Sequence, residues 1–174
     1  VDGCSDDGTW EWLQQNIGAD KRFHLTRREP KGIYDAWNFG IEQCKGKYIY
    51  IATSDDTMKP YCFERFLFFM QQHPECGMAH SLLEVIDEQG KPVNPNPWLS
   101  YLPQQFYKDQ LLKLHVRKAP ADGILHSYLY SVYTSVTQLF ISRKLFEQVG
   151  LFATNFGAKA DFEWCMRASL VTNV

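Results

Sequence analysis

Apolar residues recur along this chain with two alternating periods. Trp10, Leu13 and Ile17 follow at helical spacing, as do Ile33, Ala36, Trp37, Gly40, Ile41 and Cys44, and then Phe63, Phe66, Leu67 and Met70. Between these stripes stand short runs at 21–26, 48–52, 78–86 and 138–142, most of them rich in β-branched and aromatic residues. Spacings of three and four predict amphipathic helices, and compact apolar runs bounded by turn residues predict strands. Thr9 is the expected cap of the first helix, with Gly3 and Gly8 letting the backbone turn before it. The second helix is expected over 32–44 with Gly46 ending it, and the third from Pro60 to Pro74. Asp87-Glu88-Gln89-Gly90 reads as the turn after the third strand. A short helix over 143–149 stops at Gly150, and a last one over 161–169 carries Phe162, Cys165 and Met166 on one face. Strands alternating with helices indicate an α/β fold, a mostly parallel sheet covered on both faces.

The stretch 92–133 breaks that rhythm, with four prolines followed by aromatic residues and a moderate helical signal over 109–116. A substrate-facing excursion and a loop packed on the sheet edge both fit it.

Composition narrows the function classes. At 174 residues, 45% hydrophobic and 15% aromatic, the chain suits a single domain with a sizeable core. Eighteen basic against twenty acidic residues give a net charge of −2, so bulk charge does not point to nucleic acid. No apolar run is long enough for a transmembrane segment, and Val1-Asp2-Gly3-Cys4 is not a signal peptide. Five scattered cysteines without a CxxC pair favour reduced thiols and a cytoplasmic setting, and five histidines lack metal-ligand spacing.

Candidate chemistry gathers in 47–60, KYIYIATSDDTMKP. A buried strand there stops at Thr53-Ser54-Asp55-Asp56, delivering two adjacent carboxylates at its carboxyl end, where ligands of open α/β sheets bind. Such a pair suits a hard divalent cation carrying phosphate oxygens. Helix capping is the competing explanation. It accounts poorly for the pair, because Pro60 as first helical residue puts the cap at Lys59.

Three blocks, taken together, resemble the GT-A domain of family 2 glycosyltransferases. VDGCSDDGT is similar to that family's vDGgStDGT loop, and EPKGIYDAWNFGIEQCKGKYIYIATSDD to EPDKGIYDAMNKGIxxAxGxYIxFLNSDD. VGLFATNFGAKADFEWCMRAS resembles GxFDExFxxxADxExxLR. The resemblance implies a GT-A-like, Rossmann-like mixed sheet, mostly parallel and flanked by helices. It implies an inverting transfer of sugar from a nucleotide-diphosphate sugar donor to the hydroxyl of a saccharide or lipid-linked acceptor, as in polysaccharide or glycolipid biosynthesis. It also implies a cytoplasmic protein that reaches the inner face of a membrane through a longer parent or its acceptor.

Roles follow residue by residue from the resemblance. Asp55 and Asp56 match the end of the DXD-type motif and would hold Mn²⁺ or Mg²⁺ against the diphosphate, although Thr53 stands in the motif's first place. Asp2 matches a position that contacts base or ribose, with capping of its own loop as the alternative. Lys31, Asp35, Asn38 and Ser54 would line the donor pocket, and Asp35 and Asn38 could equally support the first turn of their helix. Glu29-Pro30-Lys31 lacks the Asp that usually precedes the lysine. Asp161 matches the general base, and without the resemblance it reads as an N-cap. Trp164 and Arg167 orient that last helix or touch the acceptor, with core packing and a surface charge as the alternatives.

The expected organisation is one partial domain, residues 1–91 serving the donor and 92–174 the acceptor. A strand and its helix are expected to precede Val1, leaving the 174-residue chain weakly active or inactive by itself. A metal-dependent nucleotidyltransferase and a non-catalytic nucleotide-sugar-binding module are the other function classes compatible with these residues.

Overall fold

A computed structural model describes residues 1–97, 102–129 and 131–174. Residues 98–101 and Tyr130, within the irregular stretch, lie outside the described residues. Three short strands form the sheet among the described residues: β1 (Tyr48–Tyr50), β2 (Met78–His80) and β3 (Leu139–Ser142), in the order β1-β3-β2. Seven α-helices accompany them among the described residues: α1 (Thr9–Ile17), α2 (Ile33–Gln43), α3 (Cys62–Gln72), α4 (Leu102–Tyr107), α5 (Ala121–Leu129), α6 (Arg143–Val149) and α7 (Ala160–Val171).

β3 runs antiparallel to both neighbours, setting Ile49 and Met78 on either side of Ile141, and Tyr50 and Ala79 on either side of Phe140. The outer strands β1 and β2 therefore run parallel to each other, as strand–helix alternation predicts, but β3 lies between them. Both ladders are antiparallel where alternation alone predicts parallel pairing. The cause is the long connection after β2, which returns to the sheet end it left and so feeds β3 in the opposite direction.

The sheet is covered on both faces. Ile49, Met78, Leu139 and Ile141 join Trp164, Phe146, Phe152 and Ile41 in one apolar cluster, which α2, α6 and α7 close. Phe140 and Ala79 point the other way, into Phe66, Phe69 and Met70 of α3. Phe66 stacks on Phe140 with ring centres 5.3 Å apart and planes 3° from parallel. Side chains as deeply buried as Met78, Leu139 and Trp164 each contribute about 1.5–3 kcal/mol from desolvation.

Several local expectations change. No regular strand forms over 21–26, because the only ladder contact there is a parallel bridge between Asp2 and Arg27. Gly8, at φ +86°, caps α1 in place of Thr9, a conformation that glycine adopts without strain. α3 begins at Cys62 after a turn closed by Cys62 N–H on the Lys59 carbonyl, so Asp55 and Asp56 stay outside it. Its buried stripe is Phe66, Phe69 and Met70, while Phe63 and Leu67 are exposed. Instead of a helix over 109–116, the chain forms a 3-10 turn at Lys108–Leu112 and then extends. Strand β2 stops at His80, and residues 85–93 fold back as a hairpin around the expected turn, whose Asp87 Oδ1 accepts from the backbone of Gln89 and Lys91. In α7 the buried side is Ala160, Trp164, Cys165 and Ala168. Helix α5 crosses α7 so closely that a Cβ on Gly123 would lie 2.6 Å from Leu170 Cγ.

A polar network is built into the α5 side. Arg117 Nε donates to both oxygens of Asp122, at 3.0 and 2.8 Å, and both side chains are almost fully buried. Tyr133 and Tyr107 also donate to Asp122. Burial pushes the Asp122 carboxyl up, but the Arg117 charge and the two tyrosine hydroxyls outweigh it and hold it below the usual carboxylate range. Nearby, His126 Nδ1 accepts from Val132 N–H at 2.6 Å, and its Nε2 is buried without a partner.

Burial holds His126 down to about 4 and His80 down to about 3, against 6.5 for a free histidine. Below pH 6.5 the unfolded chain therefore takes up protons that the folded chain refuses. The stability held by these neutral rings is complete above that pH and is lost as pH falls towards 4. Unfolding free energies from urea titrations should hold between pH 7.5 and 6.5 and then fall towards pH 4.5, by up to ~1.4 kcal/mol per pH unit per histidine. His126→Phe should flatten that slope.

Candidate active site

Two parts of the site are assembled around adjacent arginines. Asp2 joins residues 26–28 by backbone bonds, its N–H to the Thr26 carbonyl (2.8 Å) and its carbonyl from Arg28 N–H (3.0 Å). Its buried carboxylate accepts from Ser5 N–H at 3.2 Å and lies 3.4 Å from Arg27 Nε. The Ser5 contact, more than the Arg27 charge, keeps Asp2 below the ordinary aspartate range. Arg28 Nη2 lies 3.0 Å from Asp35 Oδ2 on the first turn of α2, an ion pair by distance whose angles fall outside a hydrogen bond. Asp2 and Asp35 are thus both tied to the segment 26–28. Lys31 stands exposed just before α2, with no ion pair among the described residues.

Asn38 faces elsewhere. Its amide donates to the Phe152 carbonyl at 2.8 Å and accepts from the Phe152 N–H at 3.0 Å, so both polar atoms are committed to the backbone. It therefore ties α2 to the loop between α6 and α7. Tyr34, one turn earlier, packs edge-on against Trp37 (5.2 Å) and against Phe152 (5.8 Å). Its hydroxyl interacts with Asp161; burial first, then the Asp161 charge, pushes the phenol up to about 12.

Asp161 lies inside the first turn of α7 and is not its cap; Lys159 holds that place. Asp161 Oδ1 accepts from Phe162 N–H at 2.7 Å. A polar cup of about 180 Å³ opens beside it, lined by Ser131, Thr134, Ser135 and Lys159. The helix is anchored from behind. Trp164, wholly buried, stacks on Phe146 at 4.5 Å and donates to the Gly150 carbonyl at 2.7 Å. Arg167 pairs with Glu163 and donates to the Leu151 carbonyl at 2.9 Å and to the Val149 carbonyl. Both residues hold the 149–152 loop on α7.

Beyond β1 the chain bends at Ser54 and Asp55, and Ser54, Asp55 and Asp56 are all exposed. Thr53 Oγ1 donates to Asp56 Oδ2 at 2.9 Å, so the neutral residue in the motif's first place orients the second aspartate of the pair. Asp55 and Asp56 enter a cleft of about 710 Å³ that opens between them, the start of α3 and residues 79–86. Among the described residues no third His, Cys, Asp or Glu joins them at metal-binding range. Two open carboxylates fit a hard cation that takes its remaining ligands from phosphate and water, rather than a closed protein cage.

Tyr34 is a site residue that pattern reading passed over. Its signal was its place four residues before Asn38, which puts both on one face of α2.

Three comparisons bear on these motifs. The sequence profile of glycosyl transferase family 2 matches residues 1–128, which carry Asp2, Lys31, Asp35, Asn38 and the Asp55–Asp56 pair. A Bacillus subtilis (strain 168) protein named as a teichuronic acid biosynthesis glycosyltransferase, TuaG, is 31% identical over 114 residues, covering 65% of this chain and 44% of that protein. The crystal structure of S. aureus TarS 1–349 superposes with a TM-score of 0.61 at 16% identity, over 98% of this chain and 45% of that one. The chain thus spans under half the length of either relative. With the fold of the second, the motif blocks in order, and a profile match over most of its length, the chain belongs to glycosyl transferase family 2.

Proposed function

We propose that this chain transfers a sugar from a nucleotide-diphosphate sugar to an acceptor hydroxyl, with inversion, in the synthesis of a cell-wall polysaccharide. The observation that carries the reading is the join between α2 and α7: Asn38 is bonded to the Phe152 backbone, and Tyr34 and Trp164, on either helix, both pack on the Phe152 ring at 5.8 and 5.3 Å. That join supports reading the donor block and the helix of the candidate base as parts of one site.

In this reading the donor lies along the edge formed by Asp2, Lys31 and Asp35 and reaches Ser54 and Asp55. Asp2 and Asp35 accept from ribose or base, and the Lys31 ammonium faces phosphate. Asp55 and Asp56 would hold Mn²⁺ or Mg²⁺, which neutralises charge on the departing nucleoside diphosphate. Asp161 takes the proton from the acceptor hydroxyl as its oxygen attacks the anomeric carbon opposite the leaving group. One carbon–oxygen bond forms as the bond to the diphosphate breaks, so configuration inverts. Asn38 acts at one remove, through Phe152. The relative's name, which refers to teichuronic acid, supports a polysaccharide product.

Calorimetric titration of the full-length protein with UDP and GDP, with and without Mn²⁺, tests the donor half. Binding should require the metal and should weaken at least tenfold in Asp55→Ala/Asp56→Ala, with circular dichroism unchanged. Metal-independent binding that survives the double substitution would remove the acidic pair from the site.

A further inference from the structure

Along one side of the large cleft, several hydrogen-bond donors meet no oxygen among the described residues. Asp55 and Asp56 enter the cleft from the β1 side, whereas His80 ends β2, and Lys113, His115 and Arg117 line the cleft from the irregular segment after the 3-10 turn. Asp122 and the backbone of Val174 lock Arg117 in place. Among the described residues its outer nitrogens reach imidazoles only, Nη2 lying 3.2 Å from His80 Nδ1 and Nη1 3.4 Å from His115 Nε2.

A guanidinium can only donate, so both imidazole nitrogens must accept. His115 completes its pairing by donating from Nδ1 to the Lys113 carbonyl at 2.7 Å. His80 is left as the Nε2–H tautomer, and that N–H is buried with no acceptor. Burial first, then the Arg117 charge, keeps the ring neutral down to about 3. Lys113 is exposed and has no ion pair among the described residues. Apart from Asp55 and Asp56 on the β1 side, the acids nearby are engaged, Asp122 by Arg117 and the two tyrosines, and Glu84 by Lys59 at 2.9 Å. A buried donor without an acceptor carries its full desolvation cost, and His80 shares the wall of this cleft with the Lys113 ammonium and Arg117.

We propose that the β2 side of this cleft is an oxyanion subsite, where His80 Nε2–H, the outer N–H groups of Arg117 and the Lys113 ammonium hold a carboxylate or phosphate group of the acceptor. The subsite rests on the sugar-transfer reading for what enters it, since an acceptor must approach the donor held at Asp55 and Asp56. The transferred sugar is then added to a chain that is already anionic. Arg117 is well suited to planar oxyanions because Asp122 has fixed its orientation beforehand.

The test is calorimetric titration of the full-length protein, without divalent metal, using trigalacturonate, inorganic phosphate and neutral maltotriose. At least one anionic probe should bind at least tenfold more tightly than maltotriose. Preference for trigalacturonate assigns a carboxylate-bearing acceptor, and preference for phosphate a phosphate-bearing one. Lys113→Ala and His80→Phe should each reduce that preference at least threefold, and together abolish it. Phe keeps the ring packed 5.0 Å from Tyr133 and removes the buried unpaired N–H, so an unchanged or higher urea midpoint verifies folding. Equal affinity for charged and neutral probes, or a preference that survives both substitutions, overturns the proposal. UDP and GDP titrations on the same samples separate the two readings: if oxyanions bind and nucleotides with Mn²⁺ do not, sugar transfer fails and the subsite stands.

Discussion

Asp161→Asn is expected to lower kcat by about 10²–10⁴-fold, the usual contribution of a positioned general base, while nucleotide affinity stays within about twofold. The substitution is nearly isosteric, and the amide oxygen can still accept the Phe162 N–H that the carboxylate accepts at 2.7 Å. The anchors of α7, Trp164 on Gly150 and Arg167 on Leu151, are untouched. What disappears is a proton acceptor beside Tyr34. That phenol is pushed up to about 12, so it stays protonated near neutral pH and can only donate to Asp161. Steady-state rates for the full-length enzyme with a matching donor and acceptor check this. A rate within threefold of wild type would move the base to another residue.

Asp122→Ala is expected to cost about 3–5 kcal/mol, because it strands a buried guanidinium. Arg117 is 8% exposed and Asp122 2%, and the carboxylate takes hydrogen bonds from Arg117, Tyr107 and Tyr133. Removing it leaves one charge and two hydroxyls without their acceptor in a nearly dry site. Against a typical folding stability of about 5–15 kcal/mol, a loss of that size leaves little margin. Urea unfolding followed by tryptophan fluorescence gives the number. The pairwise replacement Arg117→Met/Asp122→Leu should recover most of the loss, since the cost lies in the unpaired partner and not in the pair's net attraction.

How far the chain could be read in advance depended on which kind of information each feature needed. Helices α2 and α6 lie within a residue of expectation, because a three-and-four stripe and a terminating glycine are local signals. The direction of β3 was not legible. An apolar run looks the same either way round, and the long excursion before it decides the direction. Helix α3 turned by one stripe because Phe63, Phe66, Leu67, Phe69 and Met70 offer two overlapping apolar faces, and the sheet selected the one that meets Phe140.

At the site, Asp55 and Asp56 could be read as an adjacent pair at a strand's end, since neighbours in sequence stay neighbours in space. Asp35 and Asn38 looked alike as polar residues near one helix start. They lie three positions apart, and one turned to Arg28 and the other to Phe152. The oxyanion wall had no local mark at all. It draws His80 from β2 and Arg117 from within the excursion, and their encounter is a product of tertiary folding.

The reversed strand at the centre of the sheet has one more consequence. Strands β1 and β2 present their carboxyl ends to the clefts, but β3 presents its amino end there, because Leu139 pairs with His80 and Phe140 with Tyr50. Whatever β3 delivers to chemistry must therefore come before it in sequence, as Ser131, Thr134 and Ser135 of the small cup do. The segment after β3 starts from the wrong side. Helix α6 and the 150–159 loop are its return journey, and the carboxylate of Asp161 reaches the site only where that journey ends.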